Sequence, residues 1–309
     1  MENKISVIIP NYNGKDLLAK NLPKVISMCP GCQIIVVDDA SQDGSQDFVK
    51  NKFKNITLVK MPKNVGFANA IAEGVKKAKH DLILLLNSDV APQNNFLKPA
   101  VAHFNKSNSE KLFAVALCDQ SHEDNKVITR GRGGASFEKG FVNHFPMPVQ
   151  KGQTLWVSGG SGLFDKKKFL ELGGFDNVFV PFYWEDIDLS FRAWRAGFTC
   201  IFEPASKVDH FHREGAILKQ KSPFFIKTVS YKNQFIFVWK NISDYLLVAQ
   251  HILWLPYHFT KALLTLDIAF FTGFLWAISY LPRLIFDYSL FTIHYSLSDK
   301  EVLSKFAKQ

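Results

Sequence analysis

Three runs of Asp, Asn, Ser and Gly each follow directly on an apolar stretch of the 309-residue chain. Pro10-Asn11-Tyr12-Asn13-Gly14 follows Ile5–Ile9, Asp38-Asp39-Ala40-Ser41 follows Gln33–Val37, and Asn87-Ser88-Asp89 follows Asp81–Leu86. Each run alone is ordinary turn chemistry, because these residues terminate strands and cap helices everywhere. All three in register at strand ends of one parallel sheet would set an aromatic ring and several carboxylates along one edge. That edge is where open α/β sheets bind ligands. Tyr12 can stack on a base, and Asp39 can accept hydrogen bonds from a base N–H or from ribose hydroxyls. A divalent cation held at Asp89 can neutralise a diphosphate, since hard cations take carboxylate oxygens. Neither G-x-G-x-x-G nor a P-loop follows the first apolar run, so a nucleotide would be held by these handles and not by a glycine cradle.

The elements that must position these residues alternate. Strands are expected at Ile5–Ile9, Gln33–Asp38, Ile56–Lys60 and Asp81–Leu86, and helices at Asp16–Met28 and Gly66–Lys79. Lys76, Lys77 and Lys79 close the second helix, which suits a helix C-terminus. Continuous apolar strands separated by helices imply a mostly parallel sheet covered on both faces. From about residue 224 the texture changes: aromatic residues crowd together and charges become sparse. The expected division is residues 1–223 as an α/β domain and 224–309 as a helical region.

The net charge of +9 favours an anionic partner such as a nucleotide, a nucleic acid or an anionic lipid surface. Arg130-Gly-Arg-Gly-Gly134 invites an RNA reading, but no RNA-binding fold signature accompanies it. It reads as a flexible glycine-rich loop with two solvated arginines, and no nucleic acid is expected. Cys29-Pro-Gly-Cys32 has redox or zinc spacing, yet it falls at the end of a helix, where a thiolate gains nothing, and a second pair is missing. The polar opening residues, with only a short apolar run after them, lack a secretory core, so the expectation is a cytosolic start.

The motifs as a set resemble the glycosyltransferase family 2 enzymes of GT-A fold, especially their bacterial rhamnosyltransferase-like members. The matching stretches are Val7–Gly14, Val37–Ser45, Asn64–Ala70, Leu86–Val90, Gly160–Phe164, Gly173–Asp176, Glu185–Leu189 and His210. The resemblance implies transfer of a sugar from a nucleotide-diphosphate donor, with inversion at the anomeric carbon. It implies that Pro10, Tyr12, Asp39 and Ser88 contact the donor and that Gly66, Phe67 and Asn69 form a loop over it. Asp89 is similar to the last carboxylate of the family's D-x-D motif, with Asn87 in place of the first. His210 would be the second ligand of a Mg²⁺ or Mn²⁺ ion, with His212 as the alternate. Asp186 would be the base that takes the acceptor hydroxyl proton, with Glu185 orienting it or touching the acceptor. From its residue type alone, Asp186 is equally a helix cap. Trp184 is either a sugar-stacking ring or core.

These implications point to a metal-dependent inverting transferase that acts on a glycan or lipid-linked acceptor, within cell-surface polysaccharide synthesis. A nucleotidyltransferase or an inactive membrane-bound scaffold would be the alternatives. Lys240, Asp244 and His251 fall within a narrow arc of an otherwise apolar helix. Pro256 and Pro282 bracket a stretch nominally long enough to cross a bilayer, with the costly Asp267 near its middle. The expectation is a peripheral or monotopic anchor on the anionic cytoplasmic face of the membrane.

Overall fold

The computed structural model describes residues 5–105, 109–123, 126–211, 221–290 and 295–308, without the side chains of 287–290. Its strands are β1 (Ile5–Asn11), β2 (Gln33–Asp38), β3 (Thr57–Lys60), β4 (Leu82–Leu86), β5 (Val90–Pro92), β6 (Leu112–Glu123), β7 (Lys126–Arg130), β8 (Gly133–Glu138), β9 (Phe141–Pro146), β10 (Gly152–Gln153), β11 (Ser161–Asp165) and β12 (Thr199–His210). Its helices are α1 (Lys15–Met28), α2 (Ser45–Lys52), α3 (Phe67–Lys77), α4 (Leu97–Val101), α5 (Lys166–Glu171), α6 (Glu185–Arg195), α7 (Pro223–Asn241), α8 (Tyr245–Leu264), α9 (Ile268–Ile278), α10 (Leu281–Leu290) and α11 (Asp299–Phe306).

One sheet runs β10-β12-β6-β11-β4-β1-β2-β3, with β5 added beside β12 and β7 beside β6. The half β4-β1-β2-β3 is parallel throughout, as the unbroken apolar runs require. β11 is antiparallel to both its neighbours, and β6 and β12 are again parallel. This mixed order carries β12, and His210 at its end, back to the strand ends that the first half of the chain built. Two apolar clusters cover the two faces. One is centred on Leu18, Leu22, Val36 and Leu84, the other on Ile8, Ile71, Phe164 and Phe191.

Helix α3 lies directly on β1 and β2, and Gly74 permits the approach. A Cβ at Gly74 would sit 2.4 Å from Ile8 Cγ2 and 3.0 Å from Val37 Cγ2. We expect Gly74→Ala to destabilise the fold by about 1–3 kcal/mol through overpacking, despite the better helix propensity of Ala. A chemical denaturation midpoint at or above that of the parent chain would contradict this.

The helical C-terminal region shares the second cluster. Phe235, Ile236, Phe237, Val302 and Phe306 are buried together with Trp184, Phe191 and Trp194. The polar residues expected to form a stripe along one helix are divided between two helices and face inward. Lys240 closes on Asp176 and Asp188, at 2.7 and 2.9 Å. Asp244 caps α8 through the N–H groups of Leu246 and Leu247. His251 is buried, bonded to Gly140 O and Trp239 Nε1. Asp267 sits in the α8–α9 turn, bound by Tyr231 Oη and Lys227. Among the described residues no helix is long and apolar enough to cross a membrane.

The arginines of the glycine-rich run are engaged as well as solvent-facing: Arg130 is exposed and Arg132 half-buried. Arg130 ends β7 and pairs with Glu123, while Arg132 donates to Gln153 O and Pro148 O. Gly133 and Gly134 open β8, so the run is strand and not a flexible loop. All four cysteines are free, and Cys29 is buried at the C-cap of α1.

Candidate active site

The ends of β1, β2 and β4 meet as the sequence spacing requires. Asn11 Nδ2 donates to Asp38 Oδ2 at 2.9 Å. The turn that follows β1 is locked to the turn after β2, with Asn13 N on Ser41 Oγ and Lys15 N on Asp43 Oδ2. Gly14 brings this corner against β4: a Cβ there would sit 3.4 Å from Ser88 Oγ. Asn21 of α1 donates to Ser88 O. Pro10, Tyr12 and Ser88 are half-buried on the resulting ledge, open enough to touch a ligand.

Asp39 is buried, and both its oxygens accept backbone N–H groups, from Val65 at 2.8 Å and Gly66 at 2.9 Å. Its first task is therefore to hold the 64–69 loop, leaving its remaining lone pairs for a ligand. Burial raises the Asp39 carboxyl, and the two N–H bonds oppose the rise. Gly66 has φ 83°, in the left-handed region that favours glycine. Asn69 Nδ2 turns back to Val65 O instead of outward. Phe67 packs on Phe175 with ring centroids 5.8 Å apart, which joins this loop to the segment before α6.

Asp89 and His210 come together from β4 and β12. Asp89 Oδ1 lies 3.4 Å from His210 Nε2, and His210 Nδ1 lies 2.6 Å from Asp119 Oδ2. Burial disfavours a charge on His210, but the hydrogen bonds to Asp119 and Asp89 outweigh it and raise the imidazole to about 10. Asp89 Oδ1 is buried and has no well-formed hydrogen bond. Asp119 fixes the Nδ1–H tautomer, so Nε2 faces Asp89 with a lone pair once its proton is displaced. A carboxylate behind a ligating histidine is a recurrent second layer of metal sites. Among the described residues no group of three or more His, Cys, Asp or Glu surrounds a metal position. Two protein ligands suit a cation that completes its shell with diphosphate oxygens. His212 lies outside the described residues.

Asp186 and Glu185 open α6, on the far side of the Gly159–Gly160 turn from Asn87. Asp186 Oδ2 accepts from Gly159 N at 3.3 Å and Oδ1 from Ile187 N at 2.8 Å. Gly160 abuts the Asn87 side chain, and its carbonyl accepts from Asn87 N. One turn thus touches both the Asp186 carboxylate and the Asn87 side chain, two residues before Asp89. Asp186 is partly exposed, whereas Glu185 is buried with Oε2 unpartnered. Burial and then the Asp186 charge push Glu185 well above the ordinary carboxylate range. Burial also raises Asp186, but the N–H groups of Gly159 and Ile187 stabilise its anion and limit the rise. The anion is thus favoured at Asp186, whose two oxygens accept N–H bonds, over Glu185, whose Oε2 has none.

Trp184 is core and not a sugar platform. It is 5% exposed, covered by Phe237 and His144 at centroid distances of 5.0 and 5.5 Å. Its packing helps orient the carboxylates that follow it. Sequence reasoning missed Asp119 and Gly159. Asp119 lies in a long strand without a motif, and only the parallel pairing of β6 with β12 brings it to His210.

This architecture, a mixed sheet with its ligand edge at the β1, β2 and β4 ends and an acidic helix start beside it, is the GT-A fold. A profile of Glycosyl transferase family 2 matches residues 6–172, and the chain belongs to that family. Polypeptide N-acetylgalactosaminyltransferase 8 of Drosophila melanogaster is 26% identical over 228 residues, 68% of this chain and 38% of that protein. The chain spans about two fifths of the length of such curated relatives. GalNAc-T7, solved with UDP, GalNAc and Mn²⁺, superposes with a TM-score of 0.64 at 18% identity, over 79% of this chain and 49% of that one. The mannosyltransferase PcManGT from Pyrobaculum calidifontis, solved with GDP-Man and Mn²⁺, gives 0.57 at 16% identity, over 99% and 79%.

Proposed function

We propose that the chain is an inverting glycosyltransferase. It moves a sugar from a nucleotide diphosphate to a glycan or lipid-linked acceptor in cell-surface polysaccharide synthesis, on the cytoplasmic face of the membrane. Its motifs are similar to those of the bacterial rhamnosyltransferase-like group of the family. The observation that carries the reading is the single turn, Gly159–Gly160, that contacts both the partly exposed Asp186 carboxylate and the side chain of Asn87, the first residue of the Asn87-Ser88-Asp89 ledge. Pro10, Tyr12, Asp39 and Ser88 bind the nucleoside half of the donor, and Gly66, Phe67 and Asn69 close over it. Asp89 and His210 hold Mg²⁺ or Mn²⁺, which supplies positive charge to the departing diphosphate. Asp186 accepts the proton of the acceptor hydroxyl as that oxygen attacks the anomeric carbon. The bond from that carbon to the diphosphate oxygen breaks on the opposite side. Glu185 stays protonated and leaves Asp186 as the charged partner.

Residues 1–223 carry the donor and base chemistry, and residues 224–309 carry a lipid-facing surface. The outward face of α8 is mostly apolar, with Tyr245, Leu246, Ile252, Leu253, Leu263 and Leu264 exposed and only Thr260 and Lys261 as exposed polar residues among them. Ile268 and Leu275 of α9 and Ile285 and Phe286 of α10 continue it. Exposed large apolar side chains concentrated in one region in this way mark an interaction surface. Lys139 lies over Trp254 and Tyr257 at 5.9 and 5.3 Å, a cation beside the apolar face that suits anionic headgroups. The full chain should sediment with phosphatidylglycerol vesicles and be released by detergent or alkaline carbonate, and Leu253→Glu with Leu264→Glu should abolish sedimentation. Equal recovery in the supernatant with and without vesicles, or concentration-dependent dimerisation that the same substitutions remove, would overturn the lipid reading.

Nucleoside diphosphate release from a panel of nucleotide sugars with Mn²⁺ tests the transfer reading. Release from at least one donor is expected, and no release from any would contradict it.

A further inference from the structure

The segment that delivers Asp186 holds a single 3₁₀ turn, Asn177–Phe179, and is otherwise irregular up to the start of α6. It includes two consecutive residues in the left-handed region, Tyr183 at φ 71° and Trp184 at φ 75°. Such backbone persists only where its surroundings over-determine it. Here the surroundings are supplied by α7. Lys232 is fully buried, and its Nζ donates to Val178 O at 3.1 Å and Val180 O at 2.6 Å. Asn233, also fully buried, places Nδ2 at 2.9 Å from the carbonyl oxygens of Phe179, Phe182 and Tyr183. One turn on, Phe237 supports the Trp184 ring. A further turn on, Lys240 Nζ and Asn241 Nδ2 reach Asp188 in the first turn of α6. One face of α7 is therefore occupied with the stretch from 178 to 188.

The other side of Lys232 is closed by α9. Gly273 lets the two helices touch: a Cβ there would lie 2.8 Å from Thr228 O and 3.1 Å from Lys232 N. The rings of Trp276 and Tyr280 stand 4.8 and 4.9 Å from Lys232 Nζ. The Lys232 amine is thus enclosed between carbonyl oxygens and aromatic rings, and burial pulls it down to about 7 although the nearby Glu185 opposes the fall. A buried charge is a poor device for stability, since a well-packed apolar residue commonly does as well. Its donors are matched to carbonyls that an irregular segment would otherwise leave unpaired.

We infer that Lys232 and Asn233 are positioning residues: they fix the 178–186 segment so that Asp186 faces the acceptor hydroxyl. The inference rests on the reading of Asp186 as the base.

A mutant cycle tests it, read as nucleoside diphosphate release from UDP- and GDP-sugars and as titration of UDP and GDP with Mn²⁺. Lys232→Met keeps length and removes the ammonium. It should lower kcat at least about 10-fold and leave the nucleotide Kd within about twofold. Combined with Asp186→Asn, it should add no further loss, because residues that act through one group are non-additive. Damage to the fold alone would multiply the two losses, and that result overturns the inference, as does a Lys232→Met chain with normal kcat. Should Lys232→Met fail to fold, Asn233→Ala enters the same cycle with the same expectations. Asp186→Asn with undiminished release would instead bring down the base reading itself, and the two failures are thereby distinguished.

Discussion

Asp186→Asn should lower sugar transfer by about 10²-fold or more while leaving nucleotide binding intact. The substitution keeps the side-chain shape and one acceptor oxygen, enough for the 2.8 Å bond from Ile187 N at the start of α6, and gives up only the longer bond from Gly159 N at 3.3 Å. What is lost is the basic lone pair. The donor is unaffected because Asp89, His210 and the β1–β2 ledge lie across the Gly159–Gly160 turn from this carboxyl. Glu185 is a poor substitute, since burial and the neighbouring Asp186 charge favour its neutral form. Glu185→Gln should therefore cost far less than Asp186→Asn, because an amide replaces a group that is neutral in the native site. Release rates for the two variants, with calorimetric titration of UDP or GDP, check both statements. Normal turnover in Asp186→Asn with loss in Glu185→Gln would exchange the two roles.

Removing the cation should abolish transfer, and removing either ligand should weaken donor binding. A departing diphosphate needs charge at the moment of cleavage, and Asp89 with His210 is the place where this chain can hold it. Asp89→Ala removes a buried carboxylate oxygen that has no other well-formed partner, so little besides the cation site is lost. His210→Ala removes the second ligand. Asp119→Asn is the more discriminating change. It touches no donor atom, yet it loosens the imidazole that it holds at 2.6 Å, and loss of such a support typically costs 10–100-fold in metal affinity. Mn²⁺ titration followed by nucleotide titration measures both steps. Full transfer in excess EDTA, or unchanged Mn²⁺ affinity in Asp119→Asn, would contradict the assignment.

The donor edge was readable because its logic is local. Apolar runs of strand length, each closed by Asn, Asp and Ser, give both the strands and the ends that meet, and Gln33–Asp38 is a strand over the expected residues. The Asp89–His210 meeting was expected from the resemblance, and its support was not. Asp119 becomes a partner of His210 only through the pairing of β6 with β12, a contact between segments 91 residues apart. The C-terminal region shows a different failure. Hydrophobic patterning assumes that polar residues seek water, so Lys240, Asp244 and His251 suggested a wet stripe. In the fold these groups satisfy buried carboxylates, a helix end and a carbonyl, and the apolar residues face outward. Lys232 and Asn233 escaped notice for the same reason: their partners are backbone carbonyls some 50 residues earlier, which no side-chain pattern marks.

Real-time NMR of donor turnover tests the central claim most directly and requires no knowledge of the acceptor, because water can take its place. The chain is incubated with Mn²⁺ and α-linked UDP-GlcNAc, UDP-GalNAc or GDP-Man, and the anomeric protons of the released sugar are followed before mutarotation equalises them. Attack by a hydroxyl activated at Asp186, opposite the departing diphosphate, predicts that the β-anomer appears first, together with UDP or GDP, and that Asp186→Asn suppresses both. An α-anomer as the first product, or turnover that Asp186→Asn leaves unchanged, would contradict the account.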